Sequence, residues 1–242
     1  MTQPGPAGSQ PRNLDPLEAD KFDALAARWW DPDGDFRPLH DINGPRVDYI
    51  AGRCELAGAR VADIGCGGGI LCESLARAGA EVVGIDAAEK PLGVARLHML
   101  ESALEVDYRH TTAEELAEAE PGAFDVVCCL EMLEHVPDPA ATVAACQALT
   151  RPGGALFFST INRSPAAWAS AIVGAEYVLG LLPRGTHRYD RLIRPDELAG
   201  WCRQAGLVVR DISGMAYNPF SRTVRVGGRP WVNYLLHAQR PL

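Results

Sequence analysis

The stretch EMLEHVPDP (131–139) places two carboxylates and an imidazole within five positions. Glu131, Glu134 and His135 directly follow the apolar run FDVVCCL (124–130), which predicts a buried strand. Buried strands usually continue into turn residues, so three titratable groups at this point indicate a functional site. Side chains of these types can take a proton from a hydroxyl group, or they can ligate a divalent cation.

A second chemically informative stretch, DIGCGGG (63–69), is a glycine-rich turn. Glycines allow a sharp turn and the close approach of a ligand. A dinucleotide site requires G-x-G-x-x-G, which Gly65 and Gly67 begin but Ile70 does not complete. Asp63 would repel a pyrophosphate and suits a cationic ligand. The turn therefore favours S-adenosylmethionine, which carries a sulfonium and an ammonium group, over a nicotinamide dinucleotide.

Asp86 adds to this interpretation. It ends the apolar run EVVGID (81–86), 21 residues after Gly65. A carboxylate there can accept hydrogen bonds from both hydroxyls of a ribose, which both ligand classes contain. The alternative is that the glycines form only a tight turn between a strand and a helix.

The pattern of the whole chain predicts an α/β fold with seven strands. Strand-like runs at 60–65, 81–86, 105–109, 124–130 and 153–160 alternate with helical patterns, and LVVRDIS and WVNYLLHAQ follow as two more strands. Such alternation is typical of right-handed βαβ units. We therefore predict a doubly wound, mostly parallel, Rossmann-like sheet.

The elements before this sheet are less regular. Residues 1–14 are predicted to be a disordered tail, and 15–242 a single domain. Apolar residues at helical spacing predict an amphipathic helix from Asp15 to Asp31. The stretch 31–46 is rich in Pro, Gly and Asp, which predicts a loop.

The composition excludes some partners and favours a cytoplasmic location. The net charge of -8 argues against nucleic acid as a partner. The seven cysteines form no C-x-x-C pair and several lie in apolar runs, which predicts free thiols in a reducing compartment. The amino terminus has no apolar core of a signal peptide, and we expect no membrane-spanning helix.

Several stretches together resemble one enzyme family. VADIGCGGG and GIDA resemble class I S-adenosylmethionine-dependent methyltransferases. Longer strings resemble the ubiquinone biosynthesis O-methyltransferase family: RWWDPDGDFRPLHDIN, PLGVARLHMLES, EMLEHVPDP, FFSTINR, VGAEYVLGLLPRGTH and IRPDEL. The resemblance covers nearly the whole chain after about residue 20. It implies methyl transfer to phenolic hydroxyls of polyprenyl catechols, of the demethylubiquinol and 2-polyprenyl-6-hydroxyphenol types.

The resemblance also implies site residues. It assigns cofactor contacts to Arg46, Gly65, Asp86 and Leu130, to which the residue pattern adds Asp63 and Gly67. Leu130 stands where the family pattern has methionine.

Two roles are open for the EMLEH residues. A phenol with a pKa near 10 is a weak nucleophile at neutral pH, so methyl transfer requires a phenolate held in line with the sulfonium. His135 or Glu131 can act as the base. Alternatively, Glu131, Glu134 and His135 bind Mg²⁺, Zn²⁺ or Mn²⁺, which lowers the pKa of the catechol. The resemblance favours the metal. The alternative without a catalytic role is that Glu134 and His135 are surface residues and Glu131 only hydrogen-bonds the cofactor.

An apolar insertion at 163–194 offers a contact for the substrate or a membrane. Between Pro165 and Pro183 the only charged residue is Glu176, and arginines flank the segment. This pattern predicts helices of a lid over the substrate pocket, or peripheral contact of 165–182 with anionic lipid on the inner face of the membrane.

Other functions compete with this prediction. A methyltransferase that acts on another small phenol would contain the same motifs, so the motifs do not distinguish it from the predicted enzyme. A nucleotide-dependent oxidoreductase conflicts with Asp63, and a non-catalytic scaffold, which could assemble with other enzymes of the pathway, has no need of Glu131 or His135.

Overall fold

The computed structural model describes residues 13–168 and 189–242. These residues form one sheet of eight strands in the order β3-β2-β1-β4-β5-β8-β6-β7. The strands are β1 Arg60–Ile64, β2 Glu81–Asp86, β3 Val106–His110, β4 Phe124–Leu130, β5 Thr150–Ile161, β6 Val208–Asn218, β7 Thr223–Val226 and β8 Asn233–Gln239. The helices are α1 Pro16–Leu25, α2 Arg37–Ala51, α3 Ile70–Arg77, α4 Glu89–Glu101, α5 Ala113–Ala119, α6 Pro139–Leu149, α7 Pro165–Ala167 and α8 Pro195–Gln204.

The predicted doubly wound sheet is confirmed, with one additional strand. Strands β1 to β5 pair in parallel, whereas β8 pairs antiparallel with β5 and β6, and β7 antiparallel with β6. The seven predicted strands are all present. The sequence analysis missed β7, because its four residues alternate between polar and apolar side chains over the shortest run that can indicate a strand.

The predicted loop over 31–46 is wrong in its second half, where α2 begins at Arg37. Pro38 lies in the first turn, where its missing N–H is tolerated, but Pro45 lies inside the helix and removes one helical hydrogen bond. The helix forms because one face is buried, which offsets that cost. Tertiary burial outweighs local propensity here. The buried residues of α2 are Ile42, Asn43, Arg46, Tyr49 and Ile50.

Helices cover both faces of the sheet. Consecutive residues of β5 point to opposite sides, so Phe157 packs with α2 and α3, while Phe158 packs with α6 and α8. Both rings are fully buried. Burial on both faces explains why the central strands read as continuous apolar runs.

The amino-terminal segment lies across the carboxyl ends of the strands. The predicted helix over 15–31 is present as α1, which Asp15 caps, followed by a 3-10 turn at Ala26–Arg28. The indole N–H of Trp30 donates to the carbonyl of Gly68 at 2.9 Å, and its ring stacks on His98. These contacts fix the segment directly above the glycine turn.

Two predictions lie largely outside the described residues. Most of the predicted tail, 1–14, and most of the insertion, 163–194, belong to 1–12 and 169–188. Within the described part of the chain, no helix is both long and apolar enough to cross a membrane.

Candidate active site and cofactor cleft

A cleft opens at the carboxyl ends of β1, β2 and β4, the three middle strands of the parallel part of the sheet. Its empty volume is about 1150 Å³, part of which is open to solvent. Crevices at this edge are where doubly wound folds bind ligands, because loops from neighbouring strands diverge there. The predicted residues that line it are Arg46, Asp63, Gly65, Gly67, Asp86, Leu130, Glu131 and His135.

The glycine turn forms the floor of the cleft. Gly65, Gly67 and Gly69 have φ values of 73°, 53° and 86°, in the left-handed region that glycine adopts without strain. The N–H groups of Gly65 and Cys66 both donate to the carbonyl of Ile85, which ties the turn to β2. The turn therefore needs its glycines for backbone conformation as well as for space.

Asp86 connects the turn to the end of β2. One carboxylate oxygen accepts from the N–H of Gly67 at 2.8 Å, and the other accepts from the N–H of Ala88 at 2.8 Å. Burial raises the pKa of Asp86, and these two N–H groups counteract that rise. Since each carboxylate oxygen has two acceptor sites, Asp86 can still accept from the two hydroxyls of a ribose.

Asp63 is a buried acid beneath the glycine turn. The residue is 3% exposed, and its carboxyl group accepts a hydrogen bond from the thiol of Cys72 at 3.1 Å. Burial raises its pKa to about 6, partly opposed by that thiol and by the charge of Arg46. A cation placed above Asp63 would stabilise the ionised form, as the predicted ammonium group requires.

Arg46 and Glu131 form a buried ion pair on the wall of the cleft. Nη2 of Arg46 lies 2.9 Å from Oε1 of Glu131, and the side chains are 6% and 14% exposed. Glu131 also accepts from the hydroxyl of Ser159 at 2.7 Å and has a φ of 54°. The buried Nε of Arg46 has no hydrogen-bond partner among the described residues, so the guanidinium retains a donor for an anionic group.

These features fit S-adenosylmethionine. The glycine floor leaves space at the backbone, Asp63 supplies a negative charge, and Arg46 supplies an unsatisfied donor. Leu130, at the end of β4, adds an apolar wall that is 8% exposed. An aromatic base could pack against this wall.

The predicted three-residue metal set is not assembled in the structure. Glu131 pairs with Arg46, whereas Glu134 turns into the protein, where the hydroxyl of Thr160 donates to it at 2.8 Å. Glu134 does not line the cleft, and burial beside Glu131 raises its pKa. Among residues 13–168 and 189–242, no three His, Cys, Asp or Glu side chains are grouped to hold a metal ion. These side-chain positions do not fit a divalent cation.

His135 lies at the cleft in a contact that the sequence did not predict. Its Nδ1 lies 2.8 Å from Oε2 of Glu18, on α1. The ring of Phe22 meets the imidazole edge-on, with centroids 5.1 Å apart. The hydrogen bond from His135 lowers the pKa of Glu18 to about 2. His135 is thus held by the amino-terminal helix and is not a surface residue, with a side chain 15% exposed.

The contacts between the amino-terminal segment and the cleft were not predicted from the sequence. Trp29 is 6% exposed and packs against Gly67 and Gly68 from above. The helical spacing of apolar residues did indicate that one face of the amino-terminal segment packs against the rest of the protein, and Ala26 and Trp29 are buried. It could not indicate what that face covers, because the partners lie more than 35 residues away in sequence.

The contact with Trp29 makes Gly67 testable. A methyl group at Gly67 would overlap the Trp29 ring and would occupy a left-handed backbone conformation. The backbone strain in this variant costs about 1–3 kcal/mol, which distorts the turn that binds the cofactor. We therefore expect Gly67→Ala to bind S-adenosylhomocysteine at least about tenfold more weakly, as measured by calorimetry. Gly93→Ala on α4 is the matched control, since its added Cβ meets nothing within 4 Å. Equal affinities of Gly67→Ala and the unaltered protein would contradict this role.

Comparison with solved structures identifies the fold. The chain superposes on magnesium protoporphyrin IX methyltransferase from Synechocystis PCC 6803, solved with SAH bound, with a TM-score of 0.70 at 22% identity. The match covers 93% of this chain and 99% of that one. The structure of the same enzyme with SAM bound gives a TM-score of 0.66. These likenesses show the Rossmann-like methyltransferase fold.

Comparison of sequences identifies the family. A family model described as a methyltransferase domain matches residues 37–212. Proteins named ubiquinone biosynthesis O-methyltransferase from Aromatoleum aromaticum and Hahella chejuensis are each 59% identical, over 228 and 230 residues. The alignments cover 94% and 95% of this chain and 97% of each relative. The methyltransferase fold, the cleft at its carboxyl edge and these relatives agree, and the chain belongs to the ubiquinone biosynthesis O-methyltransferase family of S-adenosylmethionine-dependent enzymes.

Proposed function

We propose that this protein transfers a methyl group from S-adenosylmethionine to a phenolic hydroxyl of a polyprenyl catechol in ubiquinone biosynthesis. The observation that carries the proposal is that Glu131 and His135 line the same cleft as the glycine turn. An acceptor hydroxyl near these two residues would lie close to a cofactor bound on the turn. The relatives at 59% identity support ubiquinone intermediates as the acceptors.

The chain's own residues would bind and orient the cofactor. Asp63 would pair with its ammonium group, Arg46 with its carboxylate, Asp86 with its ribose, and Leu130 with its base. The bound cofactor supplies an electrophilic methyl group on a sulfonium. A cleft that already holds these charges needs little reorganisation on binding.

Acceptor activation falls to His135 or Glu131. The acceptor phenol must lose its proton near neutral pH, and His135 is the group at the cleft whose ordinary pKa lies closest to that range. Its role as the base would contribute about 10²–10⁴-fold to the rate. The carboxylate of Glu131 already pairs with Arg46 and accepts from the hydroxyl of Ser159, which suits it to position neighbouring groups.

Methyl transfer to a short-chain reduced demethylubiquinone analogue tests the function. We expect turnover with S-adenosylmethionine by the unaltered protein, and a loss of about 10²–10⁴-fold in kcat for His135→Ala with cofactor affinity retained. The assay uses metal-stripped protein, to which Mg²⁺, Zn²⁺ or Mn²⁺ is then added.

Each outcome of this assay is informative. Activity in the stripped protein supports His135 or Glu131 as the base. Activity restored only by a metal would mean that Glu131, Glu134 and His135 rearrange into the predicted ligand set. Cofactor binding without transfer to any phenol would favour a non-catalytic scaffold. Transfer only to simpler phenols would mean that the acceptor is another small phenol and not a polyprenyl catechol.

The pKa of Asp63 predicts how cofactor affinity depends on pH. The ionised carboxylate binds the ammonium group, and the free protein holds a proton on Asp63 below about pH 6. Affinity for S-adenosylhomocysteine should therefore level off towards pH 7 and should fall by up to tenfold per pH unit below pH 6. Calorimetry between pH 5 and 7 measures this, with Asp63→Asn as the control that should bind weakly at every pH. A constant affinity across this range in the unaltered protein would rule the role out.

A membrane-dissolved acceptor would require contact with lipid. The apolar stretch 165–182 lies mostly outside the described residues, but its described start contains one exposed tryptophan, and a second lies beside Ser164. Trp168 is 51% exposed and Trp231 61% exposed, and the hydroxyl of Ser164 donates to the carbonyl of Trp231. Tryptophans are favoured at membrane interfaces. They support peripheral contact with a membrane, while the inner face as its location and a complex with other pathway enzymes stay predictions.

Vesicle sedimentation tests the membrane contact. The unaltered protein should co-sediment with anionic phosphatidylglycerol vesicles at low salt and not with neutral phosphatidylcholine vesicles. Deletion of 165–182 should abolish co-sedimentation, and Trp231→Ala should weaken it. Leu100→Ala, at an exposed position on α4, is the control. A protein that stays in the supernatant with anionic vesicles would refute the contact.

A further inference from the structure

We propose that Glu18 is a positioning residue for methyl transfer, which holds the imidazole of His135 through its Nδ1 atom. The inference rests on the proposed function, in which His135 faces the acceptor. It adds a residue of the amino-terminal helix to a site that otherwise comes from the strand ends and α2.

The contact geometry is that of an oriented histidine. Oε2 of Glu18 lies 2.8 Å from Nδ1 of His135, within hydrogen-bond distance. Phe22, one turn further along α1, meets the same imidazole edge-on at an interplanar angle of 85°. The carboxylate therefore fixes one ring nitrogen, and the aromatic edge restricts rotation of the ring. The side chains of Glu18 and His135 are largely buried, with 21% and 15% of their surface exposed.

This hydrogen bond determines which nitrogen of the neutral ring is basic. A carboxylate accepts but cannot donate, so the neutral His135 must carry its proton on Nδ1. The lone pair is then on Nε2, and Nε2 is the atom that can take a proton from an acceptor hydroxyl. Carboxylates that hold a catalytic imidazole in this way fix its tautomer and stabilise the imidazolium that forms.

The rest of the segment keeps Glu18 in place. Before α1, the Asn13 side chain donates to the carbonyl of Asp138 and accepts from its N–H, at 2.8 and 2.9 Å. Asp15 pairs with Arg191 at 2.8 Å. At the other end of α1, Asp23 accepts from the N–H of Lys90 at 3.0 Å. The helix is thus attached at both ends, so Glu18 is positioned by the fold and not by a mobile tail.

Substitutions at Glu18 separate positioning from stability. Glu18→Ala removes the acceptor, whereas Glu18→Gln keeps an amide oxygen that can still accept from Nδ1–H. The matched control is Asp20→Asn, which removes a negative charge from an exposed position of the same helix. The full-length proteins are compared by kcat and KM for the demethylubiquinone analogue, and by calorimetric affinity for S-adenosylhomocysteine.

A spectroscopic readout reports the hydrogen bond directly. Long-range ¹H–¹⁵N correlation spectra of histidine-labelled protein, recorded at pH 8, distinguish the two neutral tautomers. The signal of His135 is assigned by its loss in His135→Gln. We expect the Nδ1–H tautomer in the unaltered protein and in Glu18→Gln, and a mixture of tautomers in Glu18→Ala.

The expected kinetic result is a fall in kcat of about 10- to 100-fold for Glu18→Ala, with smaller loss for Glu18→Gln and none for Asp20→Asn. The affinity for S-adenosylhomocysteine should stay within about twofold. Unchanged kcat in Glu18→Ala would overturn the proposal, as would the same tautomer in Glu18→Ala and the unaltered protein.

The two proposals fail in distinguishable ways. If the unaltered protein transfers no methyl group to any phenol, the proposed function fails, and the spectra still decide whether Glu18 sets the tautomer of His135. If transfer occurs and the Glu18 variants behave like Asp20→Asn, only the positioning role fails. A Glu18→Ala protein that loses cofactor affinity along with kcat would show that α1 is merely structural.

Discussion

The site depends on the position of β1 between β2 and β4 in a parallel sheet. This adjacency brings three strand ends to one edge, so the glycine turn, Asp86 and the EMLEH stretch meet although they lie far apart in the sequence. Parallel pairing fixes the direction of each strand, and register fixes the level at which each strand ends: Ile64 pairs with Ile85, and Asp63 with Cys128. A strand in another order would separate the acid that suits the ribose from the turn that suits the cofactor. The fold therefore acts first by placing strand ends and only then by supplying side chains.

The cleft concentrates buried charge, which has a stability cost that the fold tolerates. Arg46 and Glu131 form a pair that is nearly out of water, and burial raises the pKa of Asp63 and of Glu134. Desolvation of such groups is unfavourable unless partners compensate it, and Arg46 retains a donor without a partner among the described residues. A ligand with one carboxylate and one ammonium group would compensate both Arg46 and Asp63. The same arrangement that weakens the empty protein thus favours the zwitterionic part of the cofactor.

The amino-terminal segment completes a site that the sheet alone leaves open. Trp29 packs on the glycine turn and Glu18 contacts His135, 117 residues later in the chain. Both residues lie before the region matched by the methyltransferase-domain model, which begins at residue 37, although Trp29 belongs to the string RWWDPDGDFRPLHDIN. Elements that precede the sheet can adapt a general cofactor fold to a particular acceptor, because function depends on the site and not on the fold. The segment is the part of the described structure in which such adaptation is most visible.

Local sequence patterns predicted seven of the eight strands, the doubly wound class, the glycine turn and the two acids, Asp63 and Asp86, that lie beside this turn. These features follow from local patterns: continuous apolar runs for buried strands, and glycines with an acid before them for the turn. Other features depend on contacts between distant parts of the chain. Pro38, Pro45 and Gly44 indicated a loop, yet burial of Tyr49 and Ile50 makes α2 a helix. The sequence left two roles open for Glu131, Glu134 and His135, a base or a metal site. In the structure, Glu134 turns towards Thr160 while His135 turns towards Glu18. The physical reason is the same in both cases: a side chain's direction and a helix's stability depend on partners that are distant in sequence, and local patterns do not contain them.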